Sequence, residues 1–309
     1  MRIFRDHHDI PPDARGASAA VGNFDGVHLG HRAVLDLARR EGMPLAVVTF
    51  EPHPREVFAP DAPPFRLMSA EARANRLAKL GVDILFELPF AKIAPLTAEA
   101  FMADVLAGGL GLNHVVTGAD FRFGKGRAGD VDVLIEGGAR LGFDVSTADL
   151  LGDITPVSST AIRIALAEGR PREAAKMLGH WHRIEGPVLH GEKRGRTLGY
   201  PTANMSVQGL HLPRLGVYAV LVDVLEGPQA GQYHGVASLG VRPMFGENTP
   251  NIETFLFDFE GDLYGKHLSV ALVDLLRPEM KFDDLEALVT QMNDDSMRAR
   301  AILAELPRG

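Results

Sequence analysis

The sequence contains no cysteine, which excludes a disulfide framework and catalysis by a thiolate. No apolar run approaches the ~18 residues that a membrane span requires. Charged residues and Pro11-Pro12 occupy residues 1–13, where a signal peptide would need an apolar core. We therefore predict a cytoplasmic protein with no membrane partner.

Positive charge is also scarce, because 32 lysines and arginines stand against 40 aspartates and glutamates, for a formal net charge of −8. This balance disfavours nucleic acid as a partner, although Arg122, Lys125 and Arg127 form a local basic group. A chain of 309 residues, 46% hydrophobic and 23% charged, is long enough for two globular domains. The oligomeric state is left open, a homo-oligomer included.

The first half alternates segments typical of strands and helices, which predicts a parallel sheet with helices on both faces. Near residue 180 the pattern changes to short strands separated by turns, which predicts a small antiparallel barrel. We therefore predict two domains, residues 1–180 and 181–309, the second ending in a helix capped by Asp283. The predicted helices are 32–40, 69–80, 97–106, 131–141, 156–168 and 284–306, and the predicted strands are 19–21, 44–50, 82–88, 113–117, 143–147, 217–224, 235–239, 252–259 and 268–275.

Residues 22–31, Gly-Asn-Phe-Asp-Gly-Val-His-Leu-Gly-His, connect the first of these strands to the first helix. His28 and His31 are three residues apart, so one helical turn would place both rings on one face. Because a helix N-terminus attracts anions and glycines allow close approach to the backbone, the stretch is a candidate phosphate site. The alternative is two surface histidines, and a zinc site is weakly supported without a further close ligand. The candidate residues are Gly22, Asn23, Phe24, His28 and His31.

Two more polar loops follow the second and fourth predicted strands. Residues 51–54 contain His53, and residues 118–121 contain Asp120. Since ligands bind beyond the carboxyl ends of parallel strands, we expect these loops and residues 22–31 to meet in one crevice. The motif Gly-x-Gly-x-x-Gly is absent, so a dinucleotide fingerprint is not supported.

Residues 156–163, Pro-Val-Ser-Ser-Thr-Ala-Ile-Arg, open another predicted helix. Ser159 and Thr160 supply hydroxyl and N–H groups at its start, and Arg163 lies on the same face as Thr160. A second phosphate site here would complement the histidines. The alternative is an ordinary serine cap with a solvated arginine.

A basic loop with several glycines spans residues 191–204 and contains Gly195 and Arg196, which suit a phosphate. In an extended chain Thr202 and Asn204 would point the same way. Their oxygen atoms suit Mg²⁺ shared with ATP phosphates. The alternative is a basic hairpin loop followed by a turn.

Glu253 lies in a predicted strand whose alternation places it on the same face as Phe255, Phe257 and Phe259. A carboxylate on an apolar face is costly to ionise, which is how a general base is made. The alternative is that Glu253 lies at the end of the strand and reaches water.

Taken together, these stretches resemble the bacterial bifunctional riboflavin kinase/FAD synthetase family over nearly the whole chain, because their order and spacing match. The motifs in the first half are residues 22–31, 49–54, 118–124 and 158–163. Those in the second half are residues 195–204, 216–219, 262–265, 276–277, 281–282, 291, 295 and 299–300.

The resemblance implies an N-terminal Rossmann-like nucleotidyltransferase domain that adenylylates FMN to FAD and releases pyrophosphate. It implies a C-terminal six-stranded barrel, followed by a helix, that phosphorylates riboflavin with ATP and Mg²⁺. The implied site residues are His28, His31, Ser159, Thr160 and Arg163 for phosphates and adenylylation; His53, Asp120 and Arg300 for the flavin; Gly195 and Arg196 for the kinase phosphates; Thr202 and Asn204 for Mg²⁺–ATP; and Glu253 as the base of the kinase.

The sequence departs from the family at Ser238, where members usually carry Asn, and at Met244, where they usually carry Thr. These departures leave open an enzyme that keeps only the adenylylation activity. The other alternative is a flavin- or nucleotide-binding regulator without catalysis, and the retention of Thr202, Asn204 and Glu253 argues against it.

Overall fold

The computed structural model describes residues 1–148, 157–189, 200–244 and 247–306, with the side chains of 242–244, 247 and 248 excepted. The chain divides into two compact units, Met1–Ala62 with Ala70–Val157, and Pro63–Ser69 with Ser158–Gly309. The division of function between residues 1–180 and 181–309 stays a prediction. None of the helices in the described residues has the length and apolar character of a membrane span.

The first unit is built on a parallel sheet, as predicted. Its strands are β1 (Arg2–Phe4), β2 (Ser18–Val21), β3 (Leu45–Glu51), β4 (Ile84–Pro89), β5 (His114–Gly118) and β6 (Asp144–Ala148), in the order β1-β4-β3-β2-β5-β6. Its helices are α1 (Leu29–Ala38), α2 (Pro54–Phe58), α3 (Ala70–Lys79), α4 (Phe90–Ile93), α5 (Ala98–Ala100), which continues into a π-helical segment (Phe101–Gly109), and α6 (Val131–Leu141), with 3-10 turns at Pro12–Ala14 and Lys125–Arg127.

Helices cover the sheet, so the central strands carry almost only apolar residues on either face. All four residues of β2 and the first six of β3 are buried. Local signals set the helix ends: Asp130 caps α6 through Val133 N, and Gly142 ends it with a φ of 87°.

The second unit is an antiparallel barrel followed by a helix, which confirms the predicted fold class. Its strands are β7 (Arg183–Pro187), β8 (Ala203–Ser206), β9 (Gly216–Val224), β10 (Gly231–Met244), β11 (Glu247–Leu256) and β12 (His267–Pro278), in the order β7-β12-β9-β10-β11-β8. A bridge between Leu189 and Asn204 brings the two ends of this sheet together. Its helices are α7 (Ser159–Ala167), α8 (Pro171–Leu178) and α9 (Leu285–Ala304).

Two apolar layers hold the second unit together. One fills the barrel interior and includes Ile252 and Leu256, and the other packs Ala299 and Leu303 of α9 against the outer face of the sheet. The N-cap of α9 is Asp284, which accepts from Ala287 N at 2.7 Å. The prediction of Asp283 was therefore wrong by one residue, because both positions carry the residue type that caps helices.

Candidate active sites

Strands β3, β2 and β5 are neighbours in the parallel sheet of the first unit. The loops that follow them begin at residues 52, 22 and 119 and contain the predicted polar groups. Because all three strands run in the same direction, the three loops leave the sheet at the same edge. The structure therefore brings together the loops that the sequence predicts to meet.

The loop after β2 has an unusual backbone. Phe24, Gly26 and Val27 have φ values of 52°, 87° and 44°. This region is unfavourable for residues with a Cβ, and most of all for a β-branched residue such as Val27. The loop therefore depends on its surroundings to keep this conformation.

His28 is the N-cap of α1, and its Nδ1 accepts a hydrogen bond from His31 N at 3.3 Å. The two imidazole rings stack with centroids 3.7 Å apart, as the spacing predicts. A Cβ on Gly30 would lie 3.1 Å from Cε1 of His28, so glycine there leaves room for the ring. The histidines thus stand at the positive end of a helix, where an anion is favoured.

Burial lowers the pKa of His31 well below its ordinary value, and the nearby His28 lowers it further. The ring is therefore neutral at pH 7. Its Nδ1 is buried and has no hydrogen-bond partner in the part of the chain that the structure describes. His31 is thus a neutral ring in the first turn of α1, and its role toward a phosphate stays a prediction.

His53 and Asp120 occupy the other two loops. His53 is buried and caps α2, where its Nδ1 accepts from Arg55 N at 3.1 Å and Glu56 accepts from His53 N at 2.9 Å. Asp120 is exposed in the turn after β5. The flavin-binding roles of both residues stay predictions.

In the second unit, the cap of α7 is Ser158, which accepts from Ala161 N at 3.1 Å. Ser159 and Thr160 form the first turn of α7, and Thr160 is exposed. Arg163 donates from Nε to the carbonyl of Phe65 at 2.5 Å and lies over the Phe65 ring. These contacts place Arg163 in the second unit, and its role toward a phosphate stays a prediction.

A second polar group lies across three strands of the barrel. In the β8–β11–β10 ladder, Glu253 stands directly between Asn204 and Ser238. Glu253 is half-buried on the face that also carries Phe255, opposite to Ile252 and Thr254, which are buried. This arrangement confirms the face that alternation predicts for Glu253 and Phe255. The prediction was wrong for Phe259, because the strand ends at Leu256 and Phe259 packs against the barrel interior.

Thr202 and Asn204 are both half-buried, and Asn204 Nδ2 donates to Thr202 O at 3.4 Å. Asn204 Oδ1 accepts from Asn251 Nδ2 at 3.4 Å. A carbonyl oxygen has two lone pairs, so Oδ1 keeps the capacity to ligate a cation. The donor set of a hydroxyl and an amide oxygen fits Mg²⁺.

Four residues that the sequence analysis singled out remain. Gly195 and Arg196 lie outside the described residues, and so does the side chain of Met244. Arg300 forms a bidentate ion pair with Asp258 at 2.8 and 2.9 Å and lies 4.2 Å from the centre of the Phe257 ring. Its role in flavin binding stays a prediction.

A buried ionic cluster, which the sequence analysis does not predict, contacts the backbone of the loop formed by residues 22–28. Arg73 on α3 is 1% exposed and lies between Glu51 of β3 and Glu87 of β4. A signal for it exists in the sequence, since Arg73 precedes the buried Leu77 by four residues and so occupies the apolar face of its helix.

Comparisons with known proteins agree with this architecture. The FAD synthetase family matches residues 10–161, and the riboflavin kinase family matches residues 178–303. Relatives described as bifunctional riboflavin kinase/FMN adenylyltransferase include one from Pseudomonas fluorescens, 42% identical over 98% of both chains, and one from Escherichia coli K12, 39% identical over 97% of both. A crystal structure described as a macrolide-efflux protein from Streptococcus pneumoniae has a TM-score of 0.81 and 31% identity, covering 96% of this chain and 98% of its own. The chain therefore belongs to the family of bifunctional riboflavin kinase/FMN adenylyltransferases.

Proposed function

We propose that the chain converts riboflavin to FAD in two ATP-dependent steps. The second unit transfers the γ-phosphoryl group of ATP to riboflavin, which gives FMN and ADP. Residues of the first half then transfer the AMP moiety of a second ATP to FMN, which gives FAD and pyrophosphate. The observation that carries this proposal is that each unit has its own group of polar side chains, at the N-terminus of α1 around His28 in one and on the barrel strands around Glu253 in the other.

The kinase step needs a base because riboflavin offers a neutral hydroxyl. Glu253 is the candidate, since it is half-buried and stands beside Asn204 in the ladder. Thr202 and Asn204 would hold Mg²⁺, which neutralises charge on the ATP phosphates when it is bound. In this assignment, Glu253 removes the proton as the hydroxyl oxygen attacks the γ-phosphorus.

The adenylylation step needs no strong base because the attacking phosphate of FMN is already anionic. It needs positioning of the two substrates and stabilisation of charge on the α-phosphate and the departing pyrophosphate. The N-terminus of α1, with His28 and the neutral ring of His31, offers hydrogen-bond donors for this purpose. Ser159, Thr160 and Arg163 are proposed as a second group of phosphate contacts, and His53 and Asp120 as flavin contacts.

A time course with the pure protein tests the proposal. Riboflavin, ATP and Mg²⁺ are supplied, flavins are separated at intervals, and ADP and pyrophosphate are measured. We expect FMN to appear first and FAD later, with one ADP per FMN formed and one pyrophosphate per FAD. Conversion of supplied FMN without conversion of riboflavin would leave only the adenylylation activity, and no flavin turnover would favour a binding protein.

A further inference from the structure

Arg73 is the largest side chain that is fully buried in the described residues. Its Nη2 lies 2.9 Å from Oε2 of Glu51 and 2.8 Å from Oε1 of Glu87. Glu87 is itself 6% exposed and receives a further contact from Arg5 Nε at 3.1 Å. The guanidinium is thus held by two carboxylates at the carboxyl ends of β3 and β4.

The same cluster reaches the backbone of the loop that carries His28. The carbonyl of Asn23 accepts from Thr49 Oγ1 at 3.1 Å and lies 3.5 Å from Arg73 Nη1. Thr49 is fully buried and stands opposite Glu87 in the β3–β4 ladder. A hydroxyl and a guanidinium therefore fix one carbonyl at the start of the loop.

The position of this carbonyl matters because the next residues are strained. Phe24 and Val27 both have positive φ values, and such backbones persist only where their surroundings hold them. Gly22 N bonds to Val48 O at 3.1 Å, so the loop is fixed to the sheet just before Asn23 and is capped onto α1 at His28. The Asn23 carbonyl is a further point of attachment, between the hydrogen bond of Gly22 and the helix cap at His28.

We propose that Arg73 is a positioning residue for adenylylation, which holds the Asn23 carbonyl so that the loop and His28 are aligned to receive the ATP phosphates. The proposal rests on the proposed function of the first half. Arg73 has this role because one planar guanidinium presents several donors in fixed directions, whereas a lysine ammonium is a point charge on a flexible stem. Glu51 and Glu87 fix the guanidinium and balance its charge.

The test compares Arg73→Met, Arg73→Lys and Thr49→Val with a matched control, Lys79→Met, which removes an exposed charge from the same helix. FAD formation from FMN is measured against ATP concentration, and FMN formation from riboflavin by the same preparation reports on the rest of the protein. We expect Arg73→Met to raise the KM for ATP in adenylylation about tenfold and to lower kcat about tenfold, since misplacement by about 1 Å can cost a hundredfold in kcat/KM. Arg73→Lys is expected to fall between this variant and the wild type.

Thr49→Val keeps the shape of the side chain and removes only the hydroxyl that donates to Asn23 O. We expect it to raise the KM for ATP in adenylylation about threefold, as the loss of one neutral hydrogen bond would do. In all three variants FMN formation should stay within about twofold of wild type, as in Lys79→Met.

The proposal is overturned if the Arg73 variants keep the wild-type KM for ATP and kcat while the wild type makes FAD. It is also overturned if Arg73→Met lowers the thermal stability of the protein and loses FAD formation while Thr49→Val keeps the wild-type KM for ATP, since Arg73 would then serve the stability of the first unit alone. A wild type that makes no FAD would instead contradict the proposed function itself.

Discussion

His28 has one role that the structure shows and one that is proposed, and substitution can separate them. Its ring caps α1 by accepting from His31 N, and it stands where the ATP phosphates are proposed to bind. Asparagine is a good N-cap and lacks the imidazole, so His28→Asn should keep the stability of the helix and lower FAD formation about a hundredfold. His28→Ala should lose the same activity and about 1 kcal/mol of unfolding free energy as well.

Thermal unfolding and FAD formation from supplied FMN measure the two effects. Equal activity in His28→Asn and the wild type would show that the cap is the only role of His28. In both variants FMN formation from riboflavin serves as the control, and we expect it to be unchanged.

His182 makes the stability of the second unit depend on pH. Burial lowers the pKa of His182 to about 3, with smaller contributions from His180 and His211. The unfolded chain, with an ordinary value near 6.5, therefore binds the proton first as the pH falls. The free energy of unfolding therefore has its full value above about pH 6.5 and decreases as the pH falls from 6.5 towards 3. At pH 5 we expect the loss to be about 2 kcal/mol.

Trp181, the single tryptophan of the chain, is next to His182 and reports on the unfolding of this unit. Urea unfolding at pH 7 and pH 5, followed by its fluorescence, should show a smaller pH effect in His182→Gln than in the wild type. His234→Gln, at an exposed position, should keep the full effect. The same pH effect in both variants would exclude His182 as its source.

Individual residues were predictable where a short pattern determines their geometry. A spacing of three brings His28 and His31 together, and alternation places Glu253 on the face that carries Phe255. Arg73 was missed because its partners Glu51 and Glu87 come from different strands, and long-range pairing is not encoded in any local pattern.

At the level of elements, α9 is fixed to the barrel by a buried ion pair. Asp295 is 2% exposed and accepts from Arg277 Nε at 3.1 and 2.9 Å and from Nη2 at 2.8 Å, while Gln291 donates to it at 3.1 Å. Removing one partner leaves the other as an uncompensated charge, so Asp295→Ala should cost about 3–5 kcal/mol of unfolding free energy.

Urea unfolding followed by Trp181 fluorescence measures this cost, because Trp181 packs in the same apolar layer as α9. The matched control is Asp294→Ala, whose side chain is 46% exposed and lies 3.9 Å from Arg298. We expect a loss below about 1 kcal/mol for the control. Similar losses in the two variants would mean that the buried pair does not anchor the helix.

A clear period helped without being sufficient: α8 (Pro171–Leu178) was missed although Ala174 and Leu178 recur on its buried face. The shortest elements were missed as well. The apolar repeat of α6 gives its observed bounds, 131–141, whereas β1 has three residues and α2 has five, too few to show a period. The helix predicted over 97–106 begins at its Thr97 cap but continues as a π-helical segment to Gly109. The change from α-helical to π-helical hydrogen bonding has no signature in residue type.

For the whole molecule, the residues proposed for the two activities have no member in common, so the two activities can be supplied by different copies of the chain. Glu253→Gln should form no FMN from riboflavin but convert supplied FMN to FAD, and His28→Asn should do the reverse. An equimolar mixture of the two variants should therefore produce FAD from riboflavin, with FMN passing through solution.

Separated flavins from the mixture, and from each variant alone, measure this complementation. We expect FMN to accumulate before FAD in the mixture and its FAD formation to increase with total protein concentration. FMN without any FAD in the mixture would contradict exchange through solution.

The fold class was predictable from the sequence because the change from alternating strands and helices to consecutive strands is visible along the chain. The boundaries of the compact units were not, since residues 63–69 group with residues 158–309 through contacts far apart in sequence. The pattern along the chain predicts which types of sheet and helix form. Only the three-dimensional contacts show which compact unit each segment belongs to.

The ladder that places Glu253 between Asn204 and Ser238 makes the position of this proposed base depend on the number of residues in β11 as well as on their type. Deleting or inserting one residue in β11 ahead of Glu253 would turn its carboxylate into the barrel interior, among side chains such as Ile252 and Leu256. A two-residue change would keep the face but break the alignment with Asn204. Length variation in β11 ahead of Glu253 is therefore incompatible with the proposed kinase site even where Thr202, Asn204 and Glu253 are all retained.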